Sequence, residues 1–303
     1  MKKLFITALF TIMLILSLPL KGYGCACGCN VFCVGGRWMM SPPAGYRISM
    51  MYNYMDQNSN WNAASRASSN LNEDKEIATS FYTLDLRSTI NEDLGIALEL
   101  PVWDRLFSTT GDDDNTVSAR HSVLGDMRLM GMYSGIFDDL STTLIAGIKL
   151  PTGSYQLSLL DRDTQIGTGT TDILLGGYYM NQKENWGWFT QLMSQIALNE
   201  REGYRPGNSI DMNIGIHYDN FLPSHSLIPV IQVIASLRGI DSGVNSDPDN
   251  TGYQRLYVAP GLEFNLGSTL KLYSDVRIPL MTHVNGYQLV APALWNVTMS
   301  LGV

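Results

Sequence analysis

The last ten residues, Leu294-Trp295-Asn296-Val297-Thr298-Met299-Ser300-Leu301-Gly302-Val303, alternate without interruption. Trp295, Val297, Met299, Leu301 and Val303 share one face, and Asn296, Thr298, Ser300 and Gly302 share the other. A period of two residues is that of a β-strand, so this stretch predicts a strand with one apolar and one polar side.

The same rhythm runs upstream. Leu256, Val258, Leu262, Phe264 and Leu266 oppose Arg255, Tyr257, Glu263 and Asn265, and Leu272, Val276, Ile278 and Leu280 oppose Lys271, Asp275 and Arg277. Twelve segments of this kind are predicted, at about 46–57, 78–90, 94–106, 125–137, 141–152, 170–181, 186–199, 210–221, 227–239, 253–266, 269–283 and 292–303. Each is long enough to cross a bilayer when tilted. Short, turn-forming connections follow the even-numbered segments: Asn91 to Asp93, Asp138 to Leu140, Gln182 to Asn185, Leu222 to Ser226 and Gly267-Ser268. Longer polar ones follow the odd-numbered segments, as in Asn58 to Thr79, Ser108 to Leu124, Gly153 to Gly169 and Asp241 to Gly252.

These features predict an all-β fold, a transmembrane antiparallel up-and-down barrel of about twelve strands with short periplasmic turns and long extracellular loops. A secreted sandwich would bury its apolar faces against a second layer and leaves the charged faces unexplained. On these registers Arg47, Asp85, Arg87, Glu99, Arg128, Lys149, Gln191, Gln195, His217, Asp219, Arg238, Arg255, Glu263, Lys271, Asp275 and Arg277 point inward as lumen-lining candidates, and so does His283. Trp103, Tyr178, Tyr179, Trp186, Trp188 and Tyr218 fall near strand ends, where aromatic girdles are expected.

The N-terminus gives the compartment. Met1-Lys2-Lys3, an apolar run to Leu18, Pro19, and Gly22-Tyr23-Gly24 ahead of Cys25 predict a secretory signal peptide over 1–24. A cysteine-rich periplasmic segment, 25–45, would follow and is long enough to enter the lumen as a plug; the barrel would occupy 46–303. With 45% hydrophobic residues, 16% charged residues and a formal net charge of −8, the chain is unsuited to disorder or to nucleic-acid binding.

Three motifs occur in order in the middle of the chain: Leu124-Gly125-Asp126-Met127-Arg128-Leu129, Gly147-Ile148-Lys149-Leu150-Pro151-Thr152-Gly153 and Ile166-Gly167-Thr168-Gly169-Thr170-Thr171-Asp172. Over about 120–200 the chain resembles the outer-membrane barrel family named for the meta-pathway of phenol degradation, whose members are described as transporters. The resemblance implies a Gram-negative outer-membrane barrel associated with aromatic-compound catabolism. From the residues alone, Gly125, Asp126, Pro151, Thr152, Gly153, Gly167, Gly169 and Asp172 read as a structural rim around one extracellular loop. Pro151 ends a strand, and the glycines permit tight backbone. Val303 departs from the terminal aromatic that outer-membrane barrels usually carry.

All four cysteines, Cys25, Cys27, Cys29 and Cys33, follow the expected cleavage site as C-x-C-x-C-x3-C. Local disulfides or a redox loop, a soft-metal site for Cu, Zn or an iron–sulfur cluster, and lipid attachment at Cys25 all remain open. No catalytic constellation is found. The histidines, His121, His217, His225 and His283, pair with no serine on the apolar wall as a lipolytic site would require, and no nucleotide loop or nucleophile elbow is present. Asp112 to Asp114 and Asp241 to Asp249 read as solvated acidic loops.

The expected protein is a non-enzymatic channel for passive uptake or efflux of small, aromatic or amphiphilic solutes, without a required cofactor. Its surroundings would be outer-membrane lipid, lipopolysaccharide and the barrel-assembly machinery, with the N-terminus periplasmic. The alternative is a barrel carrying a metal-binding or redox module at the cysteines, with the pore secondary.

Overall fold

Alternating segments cannot bury an apolar face alone, and in the computed structural model they pair in sequence until the sheet closes on itself. The structure describes Phe32 and residues 45–302 except 112, 138 and 223–225. The signal peptide, the four cysteines, most of the 25–45 segment, His225 and Val303 lie outside the described residues.

The strands are β1 (Tyr46–Gln57), β2 (Ser59–Ala63), β3 (Ser65–Arg66), β4 (Asp74–Thr89), β5 (Leu94–Thr110), β6 (Thr116–Leu124), β7 (Met127–Tyr133), β8 (Thr142–Leu150), β9 (Asp172–Lys183), β10 (Trp186–Ala197), β11 (Ser209–Tyr218), β12 (Leu227–Arg238), β13 (Tyr253–Leu266), β14 (Leu270–Val290) and β15 (Leu294–Gly302). Twelve of them form an antiparallel closed barrel in the order β1-β4-β5-β7-β8-β9-β10-β11-β12-β13-β14-β15. The barrel closes where β15 pairs with β1, from Arg47 opposite Gly302 to Met55 opposite Leu294. Strands β2, β3 and β6 build the wall upward at one end: β2 continues along β14, and β6 along β5. That end, with residues 151–171, 198–208 and 239–252, is the loop end. The opposite, turn end holds residues 90–93, 184–185 and 267–269, the start of β1 and the end of β15.

The segment Ser108 to Leu124, expected to be a loop, is largely strand, because Thr116–Leu124 pairs with Val102–Thr110 beyond the rim. Both faces of β6 are partly exposed, so it lacks the apolar stripe that marks the barrel strands.

Polarity is inverted relative to a soluble protein. The outward positions carry exposed Ile48, Met50, Ile96, Leu129, Leu144, Leu175, Leu192, Ile214, Ile231, Val297 and Leu301. The inward positions bury Arg47, Asp85, Arg87, Glu99, Lys149, Arg238, Arg255, Glu263, Asp275 and Arg277. A continuous apolar belt of this extent outside a charged interior is the pattern of a barrel embedded in lipid.

Two expectations are corrected by local register. Between β13 and β14 the pairing shifts, with Leu256 opposite Met281 and Tyr257 opposite Pro279. One extra residue inverts the side-chain alternation, so Thr282 and Val284 turn inward and His283 turns out, exposed. In the aromatic set, Trp186 and Tyr218 stack outside at the turn end with ring centroids 4.8 Å apart, but Tyr178 is buried inside and Trp103 packs edge-on against Phe81 in the interior. The register that turns Glu99 inward necessarily turns Trp103 inward as well.

Interior packing leaves little slack. Phe189 on β10 lies over its cross-strand partner Gly215 on β11, where a Cβ would overlap the ring. Gly215→Val should therefore displace the ring and destabilise the barrel by about 1–3 kcal/mol. A lowered urea midpoint at unchanged slope would verify this, and an unchanged midpoint would refute it.

Candidate functional site

The interior is divided by side chains rather than open. Residues 151–171 fold inward from the loop end, and their attachment begins at the three motifs. Asp126, just ahead of β7, accepts from the Gly153 amide through Oδ1 (3.0 Å) and from the Thr168 amide (3.0 Å) and hydroxyl (2.8 Å) through Oδ2. Lys149 at the end of β8 bonds Asp126 Oδ2 at 2.8 Å and Asp172 Oδ2 at 3.2 Å, and also donates to the Thr168 hydroxyl. The Thr152 hydroxyl donates to the Gly125 carbonyl and accepts from the Met127 amide, each at 2.9 Å. Pro151 is exposed at the start of the loop. Gly153 and Gly167 lie backbone to backbone: a Cβ on Gly153 would be 2.8 Å from the Gly167 Cα, and one on Gly167 would overlap the Gly153 carbonyl. Gly169 adopts a φ of 72°, which suits a residue without a side chain.

The inner part of this loop is held from the wall. Arg105, fully buried on β5, donates to the Thr79 hydroxyl at 2.9 Å and to the Thr164 carbonyl. Gln165 donates to the carbonyls of Leu157 and Leu160, and Leu160 packs with Ile77, Phe107 and Leu289. Arg162 stacks on Tyr204 (4.3 Å) and Tyr155 (5.1 Å) and donates to the Thr168 carbonyl at 2.6 Å.

From the loop anchor a polar chain continues inward. Asp172 accepts from Gln195 at 2.6 Å, Arg128 lies 3.4 Å from the Gln195 amide oxygen, and its other terminal nitrogen lies 3.4 Å from Glu99. Glu99, Arg128 and Gln195 form a shared wall between two cavities. The middle cavity, about 940 Å³ including space open to solvent, is lined by Phe32, Phe81, Trp103, Lys149 and Arg238 among others. The inner one, about 550 Å³, is lined by Arg87, Met130, Met132, Leu174, Gln191, Met193 and Asp211. Arg162 and Asp163 form a second shared wall, between the middle cavity and a vestibule of about 1280 Å³ at the loop end.

The remaining inward charges are mostly compensated. Asp85 pairs with Arg87 at 2.9 Å, Asp275 with Arg277 at 3.1 Å, and Glu263 with Lys271 at 3.9 Å. Asp219 bonds His217 at 2.7 Å at the turn end. Arg47 and Arg238 are buried in the same interior, and Arg255 lies 4.1 Å over the Tyr253 ring. Of the sixteen candidates named from sequence, Arg128, Gln195, Asp219 and Lys271 are half-buried and the others are buried. The motif residues surround the base of loop 151–171.

Several wall residues escape a strand-by-strand reading. Arg105 shares the parity of Glu99 and could have been read from it, whereas Arg162, Asp163 and Gln165 sit in a loop that carries no period. Asp241 is fully buried rather than solvated: it accepts from the Tyr204 hydroxyl at 2.7 Å and the Gly207 amide at 2.8 Å. Among the described residues no cluster of three His, Cys, Asp or Glu side chains is assembled as a metal site.

The fold and interior together define a twelve-stranded antiparallel barrel of the outer-membrane type. No protein-family model and no curated protein matches the sequence, so the family resemblance rests on the three motifs. Among solved structures, an outer membrane channel from Pseudomonas putida F1 is similar with a TM-score of 0.68 at 15% identity, covering 89% of this chain and 100% of that one. At that identity the likeness establishes the shared fold. More distant are the monoaromatic hydrocarbon channel CymD (TM-score 0.46, 8% identity, 95% of this chain and 99% of that one) and the P. putida toluene transporter TodX (TM-score 0.44, 10% identity, 91% and 92%).

Proposed function

We propose that the chain is a passive channel of the Gram-negative outer membrane for small solutes, with the turn end and the N-terminus facing the periplasm. The observation that carries this reading is the series of three interior cavities joined through shared side-chain walls, enclosed by an apolar exterior. A solute entering at the loop end passes Arg162 and Asp163, then Glu99, Arg128 and Gln195, exchanging hydration for polar side chains at each wall. Phe81, Trp103 and the methionines of the inner cavity add apolar, polarisable surface, which suits amphiphilic solutes carrying a ring. The P. putida channel that shares the fold is consistent with this role.

The test is planar-bilayer recording of the purified protein. Discrete openings whose conductance scales with salt are expected, and a correctly folded barrel that stays silent would reject the channel reading.

Phe32 offers a further check. Its ring packs 5.4 Å from Phe81 and lies 5.1 Å from the Arg277 guanidinium, inside the middle cavity. Phe32→Ala should widen that cavity and raise conductance without changing the yield of folded barrel. Equal conductance in the two proteins would mean that residue 32 does not occlude the path.

A further inference from the structure

One ring in the middle cavity does not belong to the barrel wall. Phe32 precedes β1 in the chain, yet its ring lies against Phe81, which β4 pairs opposite Asn53, well up β1 from the turn end. The slot that receives it is built from separate strands. Phe81 on β4 meets the ring at 5.4 Å, and the Arg277 guanidinium on β14 lies 5.1 Å over its face. Trp103 on β5 packs edge-on against Phe81 at 4.8 Å.

Each of these groups is held without Phe32. Phe81 and Trp103 are cross-strand partners, and Arg277 is fixed by Asp275 at 3.1 Å, which in turn accepts from Asn296 at 3.0 Å. Phe81 and Arg277 are buried in the wall, whereas Phe32 is half-buried. Barrel interiors of this type are polar, and an aromatic pair facing a guanidinium departs from that pattern. The departure suits a flat ring: Phe81 offers it a tilted contact, and the guanidinium sits over the ring face, where the quadrupole is negative. Four cationic side chains, Lys149 and Arg238 among them, line the same cavity against three carboxylates, so a small negative group is accommodated beside the ring.

We propose that this slot is a subsite for the ring of a small aromatic carboxylate, and that Phe32 holds it as a tethered competitor. The subsite takes its role in transport from the channel reading, but binding at it stands apart from conduction. A resident ring lowers the apparent affinity of an incoming one in proportion to the time it occupies the slot, so removing it tightens binding. A ring that served only as one more contact for the solute would act in the opposite sense, and its removal would weaken binding.

The test is titration calorimetry of benzoate into the full chain in detergent, with cyclohexanecarboxylate as a probe of equal charge and similar size that lacks an aromatic face. Saturable benzoate binding is expected, about fivefold or more tighter than that of cyclohexanecarboxylate. Phe32→Ala should tighten benzoate binding about threefold or more. Phe81→Leu keeps apolar bulk but removes the wall ring, and it should weaken benzoate binding several-fold. Both variants are compared in protein whose heat-modifiable gel migration reports a folded barrel. No saturable benzoate binding, equal or weaker binding in Phe32→Ala, or equal affinity for the two acids would each overturn the proposal. Because the readout is binding, a barrel that is silent in bilayers but binds benzoate in this pattern upholds the subsite and rejects the channel, and a conducting barrel that does not bind it does the reverse.

Discussion

Lys149→Met is expected to free residues 151–171 from the interior and raise single-channel conductance several-fold. The ammonium stands between Asp126 and Asp172 and is almost wholly buried, as are both carboxylates. Methionine fills similar volume but leaves two buried anions with no compensating cation. Removing one partner of a buried ion pair typically costs about 3–5 kcal/mol. The strands need not absorb that cost, because the loop offers a cheaper response. If Thr168 and Gly153 leave Asp126, water can reach both carboxylates. The barrel should therefore assemble normally while trypsin gains access to Arg162. Adding Asp126→Asn to Lys149→Met removes one of the uncompensated charges and should recover part of the occluded state. Unchanged conductance and unchanged protease sensitivity in Lys149→Met would show that the loop is held by its apolar contacts, Leu160 against Ile77, Phe107 and Leu289.

The same network shows why parts of this protein are legible in sequence and others are not. Period-two alternation reports which side of the wall a residue occupies, so Arg47, Lys149, Glu263 and Arg277 could be assigned inward from pattern alone. It fails where the pattern itself breaks. One added residue in β14 reverses His283, and β6 carries no apolar stripe to announce it. Nor does alternation report distance around the barrel. That Asp126, Lys149 and Asp172 meet follows from three neighbouring strands ending at one height, with Lys149 opposite Arg128 on β7 and opposite Asp172 on β9. The glycines of the motifs are informative for a different reason. Gly153 and Gly167 are far apart in the loop yet touch through their backbones, a requirement visible only once the loop is folded. Buried loop groups such as Asp241 and Gln165 have polar side chains that read as solvated until their partners are known.

Reversing one charge at the inner wall should change which ions pass. Arg128 is the only cation shared by the middle and inner cavities among the described residues, and its partner Glu99 is the only shared anion. Arg128→Glu replaces a near-neutral wall with two carboxylates, a change of two charges at one level of the path. At about 5 Å and an effective dielectric of about 20, one unit charge contributes about 3 kcal/mol to an ion's energy. Solvent in the cavities reduces this, since the Arg128 side chain is partly exposed. Even a third of that value per charge, summed over two charges, corresponds to a change of about tenfold or more in the cation-to-anion permeability ratio. Reversal potentials under a salt gradient measure that ratio directly. Screening supplies an internal control: the Debye length falls from about 10 Å at 0.1 M to about 3 Å at 1 M, so the shift should shrink as salt rises. Glu99→Gln should move selectivity the other way by about half as much on a logarithmic scale, because it changes one charge rather than two. If both variants kept the parent reversal potential, Glu99 and Arg128 would not lie on the conducting path, and permeation would have to follow another route through the interior.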